Sequence, residues 1–180
     1  LIAIFLSIGG FILWKHSLYS GDNLGTEFTW TGQRSEEFFN LAYSKRTRMS
    51  SNIYRFHYPY LYASGRGIDG DRGRPGFMTA LQSNPWWIVD LHDPARITSV
   101  MIYESRRDSK YNKRPLTLGL STDQKAWHTI PISTQNASPM RVVLEQPVMA
   151  RYVLIQASGY CQLSFDEVEV YAVQKPESGK

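Results

Sequence analysis

NPWWIVDL, Asn84 to Leu91, is the stretch on which the fold turns. Two adjacent tryptophans lead into an alternation of Ile88 and Asp90 with Val89 and Leu91, the two-residue period of a strand that commits large apolar side chains to a core. Directly after it, RITSVMIYE (Arg96 to Glu104) places β-branched residues at alternating positions and reads as a second strand. RRDSKYNKR (Arg106 to Arg114) follows as a loop with five basic residues and one acid. The strands are scaffold, and the loop is where function is expected.

Outward from this centre, turn signals separate short β runs from Asn40 to Val173. Strands are predicted near Arg46 to Ser51, Trp86 to Leu91, Ile97 to Glu104, Leu116 to Ser121, Trp127 to Ile132, Arg141 to Leu144, Tyr152 to Ala157 and Ser164 to Val173. Eight short strands, long loops and no core helix predict an all-β, eight-stranded jelly-roll sandwich over 40–173. Neither an internal repeat nor a low-complexity tract interrupts it. The polar tail 174–180 is expected to fray.

The N-terminal part is of another kind. LIAIFLSIGGFILW, Leu1 to Trp14, carries no charge and runs into Lys15 and His16, with Trp14 and Tyr19 where interfacial aromatics sit. Fourteen helical residues rise about 21 Å against a hydrocarbon core of about 30 Å, so a spanning helix would begin upstream of Leu1. A retained single transmembrane anchor is expected over 1–16, rather than the apolar region of a cleaved signal peptide. A juxtamembrane linker, 17–39, would join it to a sandwich outside the cytoplasm. Phe28, Trp30, Phe38 and Phe39 suggest that part of this linker packs on something.

Composition narrows the function. A chain of 180 residues is long enough to hold a core without staples, and its single cysteine, Cys161, rules out an internal disulfide. The net charge of +4 comes from basic residues spread over several loops, with no helix to present them to a nucleic-acid groove, so no nucleic-acid partner is expected. Modest basicity also suits acidic polymers or an anionic membrane surface. No nucleophile elbow, zinc-binding H-E-x-x-H, C-x-x-C or phosphate loop occurs, although GRGIDGDRGRPG (Gly65 to Gly76) is rich in glycine. A non-enzyme with no catalytic residues is therefore expected.

Six segments, NLAYSKRTRMSS (Asn40 to Ser51), GIDGD (Gly67 to Asp71), NPWWIVDL, STDQKAW (Ser121 to Trp127), ARYVLI (Ala150 to Ile155) and LSFDEVEVYA (Leu163 to Ala172), fall in one order. In that order the chain resembles discoidin-like domains, the coagulation factor 5/8 type C group of the galactose-binding-like superfamily, over Asn40 to about Val173. The resemblance to the fucose-binding lectins implies a sugar site. Arg106, Asp108 and Lys113 match their Arg-x-Asp loop with its further basic residue, a fork and an ammonium that donate to vicinal hydroxyls while the acid orients the fork. The position matching the lectin histidine falls at Met78 or Thr79, and the positions of the vicinal cysteines hold Ser109 and Lys110.

The resemblance also implies a structural Ca²⁺ bound by Asp69, Asp71 and Glu167, with backbone carbonyls completing six to eight oxygens. An Asp-Gly turn with Asp69 bonding its own backbone is the plainer alternative, and Arg72 and Arg74 set positive charge against an ion. FHYPYLY, Phe56 to Tyr62, offers Tyr58 and Tyr60 as further ligand-binding residues. Aromatic rings of this kind stack on sugars, enter a membrane interface, seal a protein contact or fold back on the sandwich.

The leading expectation is a membrane-anchored, extracytoplasmic binding module whose partner is a glycan. The alternative is an accessory subunit of a larger membrane protein complex, docking through the sandwich while Ser7, Gly9 and Gly10 allow its helix a close approach. Phospholipid headgroup binding is a third reading.

Overall fold

The computed structural model describes residues 39–52, 62–72, 76–105, 115–132 and 139–173. They belong to the second of two units of the chain, Glu36–Lys180. The predicted anchor, most of the linker and the tail lie outside the described residues. Among those residues no helix is long and apolar enough to cross a membrane.

The architecture is an all-β antiparallel sandwich. Its strands are β1 (Arg46–Met49), β2 (Phe77–Met78), β3 (Gln82–Ser83), β4 (Trp86–Glu104), β5 (Leu116–Ser121), β6 (His128–Ile132), β7 (Met140–Ala157), β8 (Tyr160–Cys161) and β9 (Ser164–Ala172), with a 3-10 turn at Ser64–Ile68. Two long strands, β4 and β7, run antiparallel along their whole length. The first part of β4, up to Asp90, lies between β1 and the end of β7, which continues through β5 to β6. From Ile97 onward β4 instead lies between the start of β7 and β9, which pairs with β2. The sandwich thus has two layers joined by one bent strand pair.

The bend corrects the predicted strand count. Four of the predicted strands, 86–91, 97–104, 141–144 and 152–157, are halves of β4 and β7. Pro94 and Pro147 stand in the intervening HDPA and EQPV stretches, and a proline cannot donate to a ladder. Here they fall at register shifts, between Asp90 and Ala95 and beyond Val143, where the ladder is already interrupted. His92 takes a positive φ of 77° at this corner, and its backbone N–H donates to Asp90 Oδ1 at 2.9 Å. Bulges of this kind let a strand change layers without breaking. The two-residue strands β2, β3 and β8 were too short to show a period.

Trp87 is the centre of the core, fully buried, as its place in NPWWIVDL predicts. Its ring stacks on Phe77 at 5.3 Å, and Phe77 meets Phe165 edge-on at 5.6 Å. The indole N–H donates to the Ser64 carbonyl at 2.9 Å, so burying the ring leaves no orphan donor and fixes the 3-10 turn against β4. Gly76 has to be glycine, since a Cβ there would meet the Phe165 and Asp166 carbonyl oxygens at 2.2 and 2.4 Å.

Candidate functional site

Register places several strand ends together. Met49 pairs with Trp87, Trp86 with Gln156, and Leu116 with both Ala157 and Ile132. Ser50 N–H donates to the Trp86 carbonyl at 2.9 Å, and Ser158 N–H to the Pro115 carbonyl at 3.0 Å. The chain therefore leaves for residues 53–61, returns from 106–114 and leaves again for 133–138 at one end of the first layer. Arg106, Asp108, Lys113, Tyr58 and Tyr60 themselves lie outside the described residues. Met78 and Thr79, where the lectin histidine would fall, are buried, and Thr79 is tied to Leu163 by two 2.9 Å hydrogen bonds through its N–H and its Oγ1.

The acidic loop and β9 meet at a second place. Glu167 is fully buried; its Oε1 accepts Gly70 N–H at 3.2 Å, and its Oε2 has no partner among the described residues. Burial, with the charges of Asp69 and Glu169 added, pushes its carboxyl up to about 7 against the weaker pull of the Gly70 hydrogen bond. Asp69 Oδ1 accepts Asp71 N–H at 3.0 Å, the local turn that the sequence also allowed. Among the described residues no three histidine, cysteine or carboxylate side chains gather as a metal cage would need, so Asp69, Asp71 and Glu167 do not form one by themselves.

Two residues along, Glu169 has the opposite surroundings. It accepts Arg72 Nε at 2.9 Å, a second bond from Arg72 Nη2, Tyr103 hydroxyl at 3.1 Å and Tyr171 hydroxyl at 2.7 Å. The Arg72 guanidinium also lies over the Tyr103 ring, 4.5 Å from its centroid. Burial and the neighbouring Glu169 push the Tyr171 phenol up to about 12. Arg72, expected to repel a cation, thus has its charge met by Glu169. The cluster borders a depression of about 240 Å³ on the outer face of the second layer, lined in part by Met101 and Arg141.

A model of the F5/8 type C domain matches residues 48–165. The chain belongs to the F5/8 type C domain family. The lectin domain of lectinolysin, solved with Lewis B antigen, superposes with a TM-score of 0.66 at 23% identity, over 76% of this chain and 98% of that one. A fucose-binding module of Streptococcus pneumoniae, SpX-3, gives 0.65 at 24%, over 76% and 99%. A serum fucolectin of striped bass (Morone saxatilis) gives 0.67 at 25%, over 79% of this chain and 51% of that one. No curated protein matches the chain. The F5/8 type C match ends at Phe165, so Glu167 and Glu169 lie just past it, on the same strand.

Sequence reading took Glu167 from LSFDEVEVYA and passed over Glu169. The signal was there: acids two apart in a strand share a face. That Arg72, Tyr103 and Tyr171 meet on that face depends on pairing between β4 and β9, which no local pattern reveals.

Proposed function

We propose that this F5/8 type C domain is a carbohydrate-binding module that takes its sugar at the end of the sandwich where residues 53–61 and 106–114 attach. The observation that carries this reading is the convergence of those strand ends in a domain whose structural neighbours include lectin domains and fucose-binding modules. Arg106 and Lys113 would donate to hydroxyls, Asp108 would hold the Arg106 fork, and Tyr58 and Tyr60 would stack. The buried Met78 and Thr79 argue against a fucose site of the lectin type, which would need its histidine there. The apolar segment Leu1 to Trp14 would tether the module to a membrane with the sandwich outside the cytoplasm.

Screening the 180-residue chain against a glycan array and titrating the best neutral sugar tests this. Arg106→Ala and Arg106→Lys should both lose about 1.5–3 kcal/mol, because an ammonium cannot replace a two-pronged donor, and added salt should matter little. Salt-sensitive binding that tolerates Arg106→Lys would overturn the neutral-sugar mechanism.

A structural Ca²⁺ belongs to the same proposal. The unpartnered Glu167 Oε2 beside Asp69 supports it, since a cation would satisfy both acids, with backbone carbonyls supplying the other oxygens. The ion would lock the GIDGD loop onto β9. Chelation should then lower the melting temperature of the wild type. An unchanged melting curve would reduce the loop to a turn.

A further inference from the structure

At the opposite end of the first layer, four strands bring Arg46, Asp90, Tyr152 and Ser121 into one transverse row. The next row on the same outer face begins with Arg48 and Ile88. Between these side chains lies a groove of about 430 Å³, within the range of roughly 300–1,000 Å³ usual for small-ligand sites.

Its charge is unbalanced. Asp90, the acid in the lining, is already matched: Arg151 grips it with Nε at 2.7 Å and Nη2 at 2.9 Å. Arg46 and Arg48 are both exposed on the edge strand. Arg46 makes no ion pair or hydrogen bond among the described residues. Arg48 uses Nη2 on the Gln124 amide oxygen, and the rest of its fork has no hydrogen bond or ion pair among the described residues.

The Gln124 side is built to stay in place. Ser121 Oγ accepts the Asp123 and Gln124 N–H groups at 3.2 and 2.9 Å, and Asp123 Oδ1 accepts those of Lys125 and Ala126 at 2.8 and 3.1 Å. Gln124 itself sits at a φ of 63°, a left-handed conformation that a non-glycine residue keeps only where its surroundings enforce it. Trp127 Nε1 donates to the Gln124 carbonyl at 3.2 Å and closes the turn.

We propose that this groove binds an acidic saccharide, a uronate- or sulfate-bearing oligosaccharide, at a site separate from the loop end. Two guanidinium forks on alternate residues of one strand suit successive anionic groups along a sugar chain, and a carboxylate or sulfate can take two donors from each fork. The Gln124 amide donates to or accepts from hydroxyls. The half-buried Tyr152 ring supplies apolar surface for the C–H face of a sugar, with the buried Ile88 beneath as the groove floor, while the Arg151 guanidinium lies 4.9 Å from the ring centroid. The lining holds no protruding apolar side chain of the sort a lipid surface would draw in, and one partly covered tyrosine is a poor platform for stacked bases.

The test is calorimetric titration of the 180-residue chain with a heparin-derived hexasaccharide, a galacturonate hexamer, an uncharged hexamer and a short duplex DNA. At least one acidic oligosaccharide should bind more tightly than the uncharged hexamer and the DNA. Arg46→Gln with Arg48→Gln should weaken it tenfold or more at an unchanged melting temperature. Arg46→Gln alone, which removes no hydrogen bond or ion pair among the described residues, should weaken it severalfold. Arg48→Lys should also lose affinity, because one ammonium cannot hold Gln124 and a ligand oxygen as a fork does. Equal binding by wild type and the double variant, or equal affinity for duplex DNA, would overturn the proposal. Arg106→Ala should leave this binding unchanged, so the groove and the loop-end site can fail independently.

Discussion

Asp90 and Glu167 are both carboxylates on the outer faces of long strands, and the fold treats them in opposite ways. Asp90, on β4, is partly exposed and clamped by Arg151, which holds its carboxyl below the usual range. Glu167, on β9, is sealed from water with one oxygen unpartnered, and its carboxyl is pushed up to about 7. The first layer therefore carries its charge as satisfied pairs and open arginines. The second stores an acid whose ionisation costs stability unless a proton or a cation meets it. Glu169 lies between these extremes, buried like Glu167 but donated to from three side chains.

The harshest way to break the comparison is Glu169→Ala. Removing the shared acceptor takes a hydrogen bond from each of two tyrosine hydroxyls and two from the Arg72 fork, and urea unfolding at pH 7 should show a loss of about 2–3 kcal/mol. A loss under 0.5 kcal/mol would mean that water replaces the carboxylate without cost.

Glu167 tests the sign. Its folded carboxyl titrates above its unfolded one, so the folded state binds more protons between about pH 4.5 and 7. With chelator present, wild-type stability should fall as pH rises through that window, by an amount on the order of 2 kcal/mol, and level off above it. Glu167→Gln should flatten that slope, whatever it does to absolute stability. Saturating calcium should flatten it in the wild type if the ion binds Glu167. A slope that Glu167→Gln leaves untouched would assign the titration elsewhere.

The smallest effect belongs to Asp90→Asn. The pair with Arg151 is partly exposed, so its loss should cost about 0.5–1 kcal/mol. Because the folded carboxyl titrates low, that contribution should be complete above the unfolded pKa and vanish as pH falls through the folded one. Melting curves of wild type and variant should converge in acid.

The same residues mark what could be read in advance. Alternation in NPWWIVDL committed large apolar side chains to a core on at least one face without choosing it, and Trp87 and Val89 prove fully buried. Segment order pointed to the F5/8 type C family before any pairing was known. The sequence could not show that β4 continues past Pro94, since a proline at a layer-changing bulge looks like one in a loop. Nor could it separate Glu167 from Glu169, which have the same local pattern and differ only in what β4 and the GIDGD loop bring against them. Arg46 and Arg48 read simply as part of a strand, because their exposure together follows from β1 being an edge.

The bent β4–β7 pair also governs how the chain is made. On a ribosome β4 emerges long before Met140–Ala157, and until β7 exists neither layer has its central ladder. During that interval β4 offers its backbone edge to any other extended chain nearby, the situation in which nascent β proteins misassociate. Once β7 arrives the first layer can close around it, and the second gains its β4–β7 ladder and waits only for β9 to join β4 to β2. A ribosome stalled between Glu104 and Met140 would leave the molecule at its most aggregation-prone.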